Sequence, residues 1–151
     1  MSRRPRFGGR IPRPRTPKER RRRGGEGRAP LPGAGDPAVV LDVELADAKL
    51  WLVLANDSER PAYDVTVEFD DPLLGLGGDV DVTGLALFDG LTLLRPGREI
   101  RILVDVALHF FAREEPTALR ADVSWQSRRG ERFGQEFRHD LKVWKDFGEV
   151  G

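Results

Sequence analysis

The side chains that could do covalent chemistry are few. The chain has 151 residues, no cysteine and two histidines, His109 and His139. Its serines are Ser2, Ser58, Ser124 and Ser127. Nucleophilic catalysis needs a nucleophile, a base within reach and a group that orients the base. His139 shares its alternation phase with Phe137 and Leu141, which turns it inward or leaves it at a sheet margin. Ser124 takes the outer face of its own segment, away from that histidine. No Gly-x-Ser-x-Gly elbow exists to expose a serine on a strained turn. His139 therefore reads as a structural histidine, and the chain as a non-enzyme without catalytic residues.

Metal and phosphate chemistry fare no better. Asp79, Asp81 and Thr83 place oxygens at positions one, three and five of a loop with Gly84 at six, the opening of a calcium loop. The twelfth position, which should supply a bidentate Glu, is Gly90, and the flanks look like strands. The segment reads as a solvated acidic loop that also discourages edge-to-edge pairing. No metal ligand is assigned, and cation binding by Asp79 and Asp81 stays open. The stretch from Gly75 to Gly78 lacks the following helix and lysine of a phosphate cradle. No cofactor is implied.

Charge is the sharper signal. The 25 basic and 25 acidic residues cancel over the chain but not locally. Residues 1–30 hold 12 basic and two acidic residues, a net charge of +10, whereas residues 31–151 hold 13 and 23, a net charge of −10. Eleven of those first 12 basic residues are arginine, whose fork matches phosphates and carboxylates bidentately. Arg13, Arg15, Lys18, Arg20, Arg21, Arg22 and Arg23 are the expected attachment residues. Phe7 is the only aromatic there, so contacts to phosphates without base readout would dominate on nucleic acid.

Four destinations are open for this segment. It can grip nucleic acid or an acidic protein surface, or serve as a docking peg in a virion or other large assembly, as in a capsid decoration or tail component. It can dock on the acidic body of its own or a neighbouring copy, or act only as a solubilising tail. Its basic start lacks the apolar core of a secretory signal, and no window is long and apolar enough to span a membrane. The expected location is the cytoplasm, or within such an assembly.

The elements that must position these groups follow from the apolar pattern. Residues 1–37 are rich in Pro, Gly and Arg, with too little apolar surface to offset chain entropy, and read as an extended, disorder-prone arm and linker. Residues 38–147 read as one domain, with 148–151 as a tail. Val39, Leu41, Val43 and Leu45 alternate with other residues, as do Leu50, Leu52 and Leu54, and Tyr63, Val65, Val67 and Phe69. Ile100 to Leu108, Leu119 to Trp125 and Phe133 to Leu141 repeat the pattern. A period of two marks strands buried on one face. Turn signals at Asn56-Asp57-Ser58, Asp71-Pro72, Gly75 to Gly78, Pro96-Gly97 and Arg129-Gly130 separate the runs.

About seven strands predict an all-β, antiparallel sandwich. Val80–Leu87 is the weakest strand or an irregular crossing, and His109–Glu115 forms a short helical turn. With Leu50, Leu52 and Leu54 inward, Trp51 and Val53 take the other face, where Leu103 joins them. They form either a protein-binding patch or a covered outer face.

The segment LWLVLANDSERPAYDVTVEFDDPL resembles bacterial immunoglobulin-like modules of the CARDB and NEW3 kind, through Leu50, Leu52, Leu54 and Asn56, then Pro61, Ala62, Val65 and Val67. The later LLRPGREIRILVDVAL is similar to their turn and following strand, through Leu94, Pro96 and Gly97. The resemblance spans roughly residues 39–147 and implies a sandwich, no catalysis and no site residues. The expected function is a non-enzymatic interaction or structural module.

Overall fold

The structure, a computed structural model, describes residues 29–146. In chain order its elements are β1 (Val39–Ala46), β2 (Lys49–Asn56), β3 (Ala62–Phe69), β4 (Leu74–Gly75), β5 (Val80–Asp81), β6 (Leu91–Leu94), β7 (Glu99–Val106), α1 (Ala107–Ala112), β8 (Ala118–Gln126) and β9 (Arg132–Asp140). One sheet has the order β1-β2-β7 and the other β6-β3-β8-β9, while β4 and β5 form a small separate ribbon. All the pairings are antiparallel. The chain crosses between the sheets after β2, after β6 and after β7, so each sheet mixes strands distant in sequence. The result is an all-β, immunoglobulin-like sandwich of seven main strands.

The core is where the period-two pattern puts it. Val39, Leu41 and Val43 of β1 and Leu50, Leu52 and Leu54 of β2 face Val65, Val67 and Phe69 of β3 and Leu119, Ala121, Val123 and Trp125 of β8 in one buried cluster. Each such side chain contributes roughly 1.5–3 kcal/mol when it leaves water. Trp125 is 1 % exposed and stacks on Phe133 at 6.3 Å between ring centroids. Its indole N–H donates to the Pro37 carbonyl at 2.8 Å, so the largest core side chain also ties down the segment before β1.

Several local readings change. Of the two readings of Val80–Leu87 the irregular crossing holds: it has the two-residue β5 and two short 3-10 turns, Val82–Gly84 and part of Ala86–Asp89. The seventh main strand is β6, whose Leu-Thr-Leu-Leu shows little alternation because only Leu94 of the four is buried. In β3 the register shifts between Tyr63 and Thr66, with Asp64 at φ 50°, so Ala62 enters the core while Tyr63 is only half-buried. The run from Ile100 stops at Val106, and Leu108 is 51 % exposed on α1. The segment before β1 is tied to the body at both ends: besides Pro37, the Pro30 carbonyl accepts from the Gly134 N–H of β9 at 3.0 Å.

Candidate functional site

Asn56, the last residue of β2, is 1 % exposed and organises one end of the sandwich. Its side-chain amide donates to the Arg60 carbonyl at 2.7 Å and to the Leu94 carbonyl at 3.0 Å. Its side-chain oxygen accepts from the Ser58 hydroxyl at 2.6 Å. On the main chain, Asn56 N–H donates to the Arg98 carbonyl, and its own carbonyl accepts from Gly97 N–H. A buried amide costs stability unless it is satisfied, and here both side-chain N–H donors and the side-chain oxygen find partners in two loops. Asn56, Leu94 and Gly97 thus belong to one structural knot.

The hairpin between β8 and β9 is equally well defined. Ser127 N–H donates to the Glu131 carbonyl at 2.8 Å and Gly130 N–H to the Ser127 carbonyl at 2.9 Å, with Gly130 at φ 89°. The Ser127 hydroxyl accepts from the Arg129 and Glu131 N–H groups, each at 3.2 Å. Arg128 and Arg129 stand at the tip of this turn, both exposed. Between this hairpin, the loop after Asn56 and residues 35–37 lies an open cleft of about 470 Å³. Arg60, Arg128 and Arg129 line it together with Asp36, Glu131, Pro37 and Pro61. Sequence reasoning did not pick out these arginines. The turn signals placed them on or beside loops, but no local pattern reveals that two loops so far apart in the chain converge.

The outer face of the three-stranded sheet carries the residues read as a patch. Trp51 is opposite Leu103 and Val53 opposite Arg101, so the three do share a face. Val53 is only 2 % exposed there. The Arg101 guanidinium lies 5.1 Å from the centre of the Trp51 ring and bonds the Glu44 carboxylate at 2.6 Å. The Trp51 indole N–H donates to the Ala46 carbonyl at 3.2 Å. Much of this apolar surface is therefore covered by the sheet's own side chains.

The remaining residues have structural partners. The His139 Nε2 atom lies 2.8 Å from the Leu41 carbonyl and bridges β9 to β1 of the opposite sheet. The Ser124 hydroxyl is 2.6 Å from the Thr66 hydroxyl on the other face of its sheet. Asp81 accepts from the N–H and hydroxyl of Thr83 and from Leu73 N–H, so its carboxylate closes a turn. Among the described residues no three His, Asp or Glu side chains come together as a metal site. Arg13, Arg15, Lys18, Arg20, Arg21, Arg22 and Arg23 lie outside the described residues.

Two ion-pair groups brace the fold. Asp105, on β7, accepts from Gly77 N–H at 2.9 Å and from Arg113 Nη1 at 2.5 Å, while Arg113 Nη2 donates to the Leu74 carbonyl at 3.0 Å. Burial pushes the Asp105 carboxyl up, but the Gly77 N–H, Arg113 and the Val106 N–H together hold it below its ordinary range. On the outer face of the four-stranded sheet, Arg120 bonds Asp70 at 2.6 Å and also Glu136, which Arg138 bonds at 2.7 Å. Arg138 first, with Arg120, draws the Glu136 carboxyl down against the opposing effect of its burial.

Fold and loop end together define an antiparallel, immunoglobulin-like sandwich with an arginine-lined cleft at one end. The chain belongs to a family described as a domain of unknown function, DUF8453, whose model matches residues 28–145. No curated protein and no solved structure matches it. No helix among the described residues is long and apolar enough to cross a membrane.

Proposed function

We propose that the protein is a non-enzymatic interaction module, in which the sandwich is a rigid body and the basic N-terminal segment attaches it to an acidic partner surface or nucleic acid. The observation that carries this reading is the division of charge, +10 over residues 1–30 against −10 over residues 31–151. A segment of that charge is drawn to acidic surfaces, and its grip weakens as salt screens it. The family resemblance to CARDB-like modules fits this reading, since those residues build loops and core and imply no catalysis.

Replacing Arg20, Arg21, Arg22 and Arg23 by Gln in the full chain tests it. Binding to single-stranded DNA and to an acidic protein is measured at several salt concentrations. The wild type is expected to bind at least one of them with a salt-dependent affinity, and the variant to bind at least tenfold more weakly at low salt. Equal binding by both proteins, or binding indifferent to salt, overturns the assignment.

A further inference from the structure

We propose that the cleft at the loop end is a second binding site, and that its ligand is an acidic peptide segment. The body carries an excess of carboxylates, and four of its arginines are paired with them: Arg101 to Glu44, Arg113 to Asp105, Arg120 to Asp70 and Glu136, Arg138 to Glu136. Arg60, Arg95, Arg98, Arg128, Arg129 and Arg132 have no such pair among the described residues, and of these Arg60, Arg128 and Arg129 come together around one cleft. All three are exposed there.

The cleft's own carboxylates bond to groups other than these arginines. Asp36 accepts from Gly33 N–H at 2.8 Å and Glu131 from the Ser127 hydroxyl at 3.3 Å. The three guanidinium groups therefore stand open to an oxyanion from outside, and each can take a carboxylate bidentately.

The backbone beneath these arginines is organised before any ligand arrives. Asn56 and Ser58 hold the main chain at Arg60, and Ser127 holds it at Arg129. A site already shaped pays less ordering entropy on binding. A volume of about 470 Å³, open along one side, suits a few residues of extended chain. The lining holds prolines and a glycine but no aromatic ring on which a nucleobase could stack. Interleaved Asp36 and Glu131 also suit spaced peptide carboxylates better than a dense polyphosphate. The site is separate from the N-terminal segment and does not depend on the role proposed for it.

The test uses the full-length protein, a short fluorescein-labelled poly-glutamate peptide, and a labelled oligothymidylate of similar length. Peptide titration followed by amide resonances is expected to shift residues 58–60 and 127–131. In the Arg60→Ala, Arg128→Ala, Arg129→Ala triple variant, half-saturation at these resonances needs about tenfold more peptide, as expected for losing charge-assisted contacts. Arg138→Ala, on the sheet face, leaves the titration unchanged. Substituting Arg20 to Arg23 by Gln weakens binding through the N-terminal segment but leaves the cleft shifts, so failure of one proposal is distinguishable from failure of the other. The cleft assignment is overturned if these resonances stay still while the peptide binds, or if the triple variant titrates like the wild type. It is also overturned if the oligothymidylate shifts them at lower concentration than the peptide, which would make nucleic acid the ligand.

Discussion

At the residue scale, two buried polar side chains hold the irregular parts of the molecule in place. Asn56 is one. Its replacement by Ala leaves the Leu94 and Arg60 carbonyls without their side-chain donor, and a buried group stripped of its partner costs about 1–3 kcal/mol. A lower urea midpoint for Asn56→Ala, with an unchanged slope, is the expected result. Asp105 is the other, and its effect depends on pH. Because its folded-state pKa is lowered from 3.8, its stabilisation is complete above the unfolded value and is lost as pH falls through the folded one. Asp105→Asn takes the nearer carboxylate charge from Arg113, leaving it Glu115 at 3.5 Å, and should cost about 1–3 kcal/mol at neutral pH. The gap between variant and wild type should narrow below about pH 4, as urea melts at successive pH values would show. Sequence reading recognised Asn56 as a turn residue because Asn-Asp-Ser is turn chemistry. It had no way to mark Asp105, whose alternation phase makes it look like one more solvent-facing acid.

At the scale of elements, the strands were legible and some of their ends were not. Alternation in β1, β2, β8 and β9 is a local consequence of burying one face, so it is written directly into residue order. The bulge in β3 and the short β6 depend on partners in other segments, and no alternation announces them. The turn joining β1 to β2 was also silent, because Asp47 and Ala48 both adopt positive φ, 55° and 62°, without a glycine. A left-handed Ala is strained, so Ala48→Gly should raise stability by about 0.5–1 kcal/mol. Thermal melts of the two proteins would check this, and an unchanged or lower midpoint would show that the turn is not strained.

On the scale of the whole molecule, the folded body reaches back at least to Pro30, beyond the expected start at residue 38. Pro30 and Pro37 both accept hydrogen bonds from the four-stranded sheet, and an added side-chain carbon at Gly134 would touch Ala29 at 3.5 Å. Removing residues 1–28 should therefore leave the melting midpoint within a degree or two. Removing residues 1–37 should lower it clearly, because the buried Trp125 N–H loses its acceptor, at about 1–3 kcal/mol. Equal midpoints for the two truncations would place the boundary at residue 38 instead. The charge division matters at this scale too, since any attraction between the halves, or toward a foreign partner, is long-ranged only at low salt.

Composition and residue order alone determined the all-β class, the inward residues of most strands, the lack of thiol chemistry and the separation of a +10 segment from a −10 body. Each of these is a sum over residues or a pattern with a period of two, and neither requires knowing what lies nearby in space. Tertiary structure alone decided that Arg60 meets Arg128 and Arg129 across one cleft, that Asn56 joins two loops, and that Val53 is covered on its outer face. Those outcomes depend on where the chain crosses from one sheet to the other. A crossing brings together loops that are far apart in sequence, and the entropy of closing such long loops is repaid only by the assembled core.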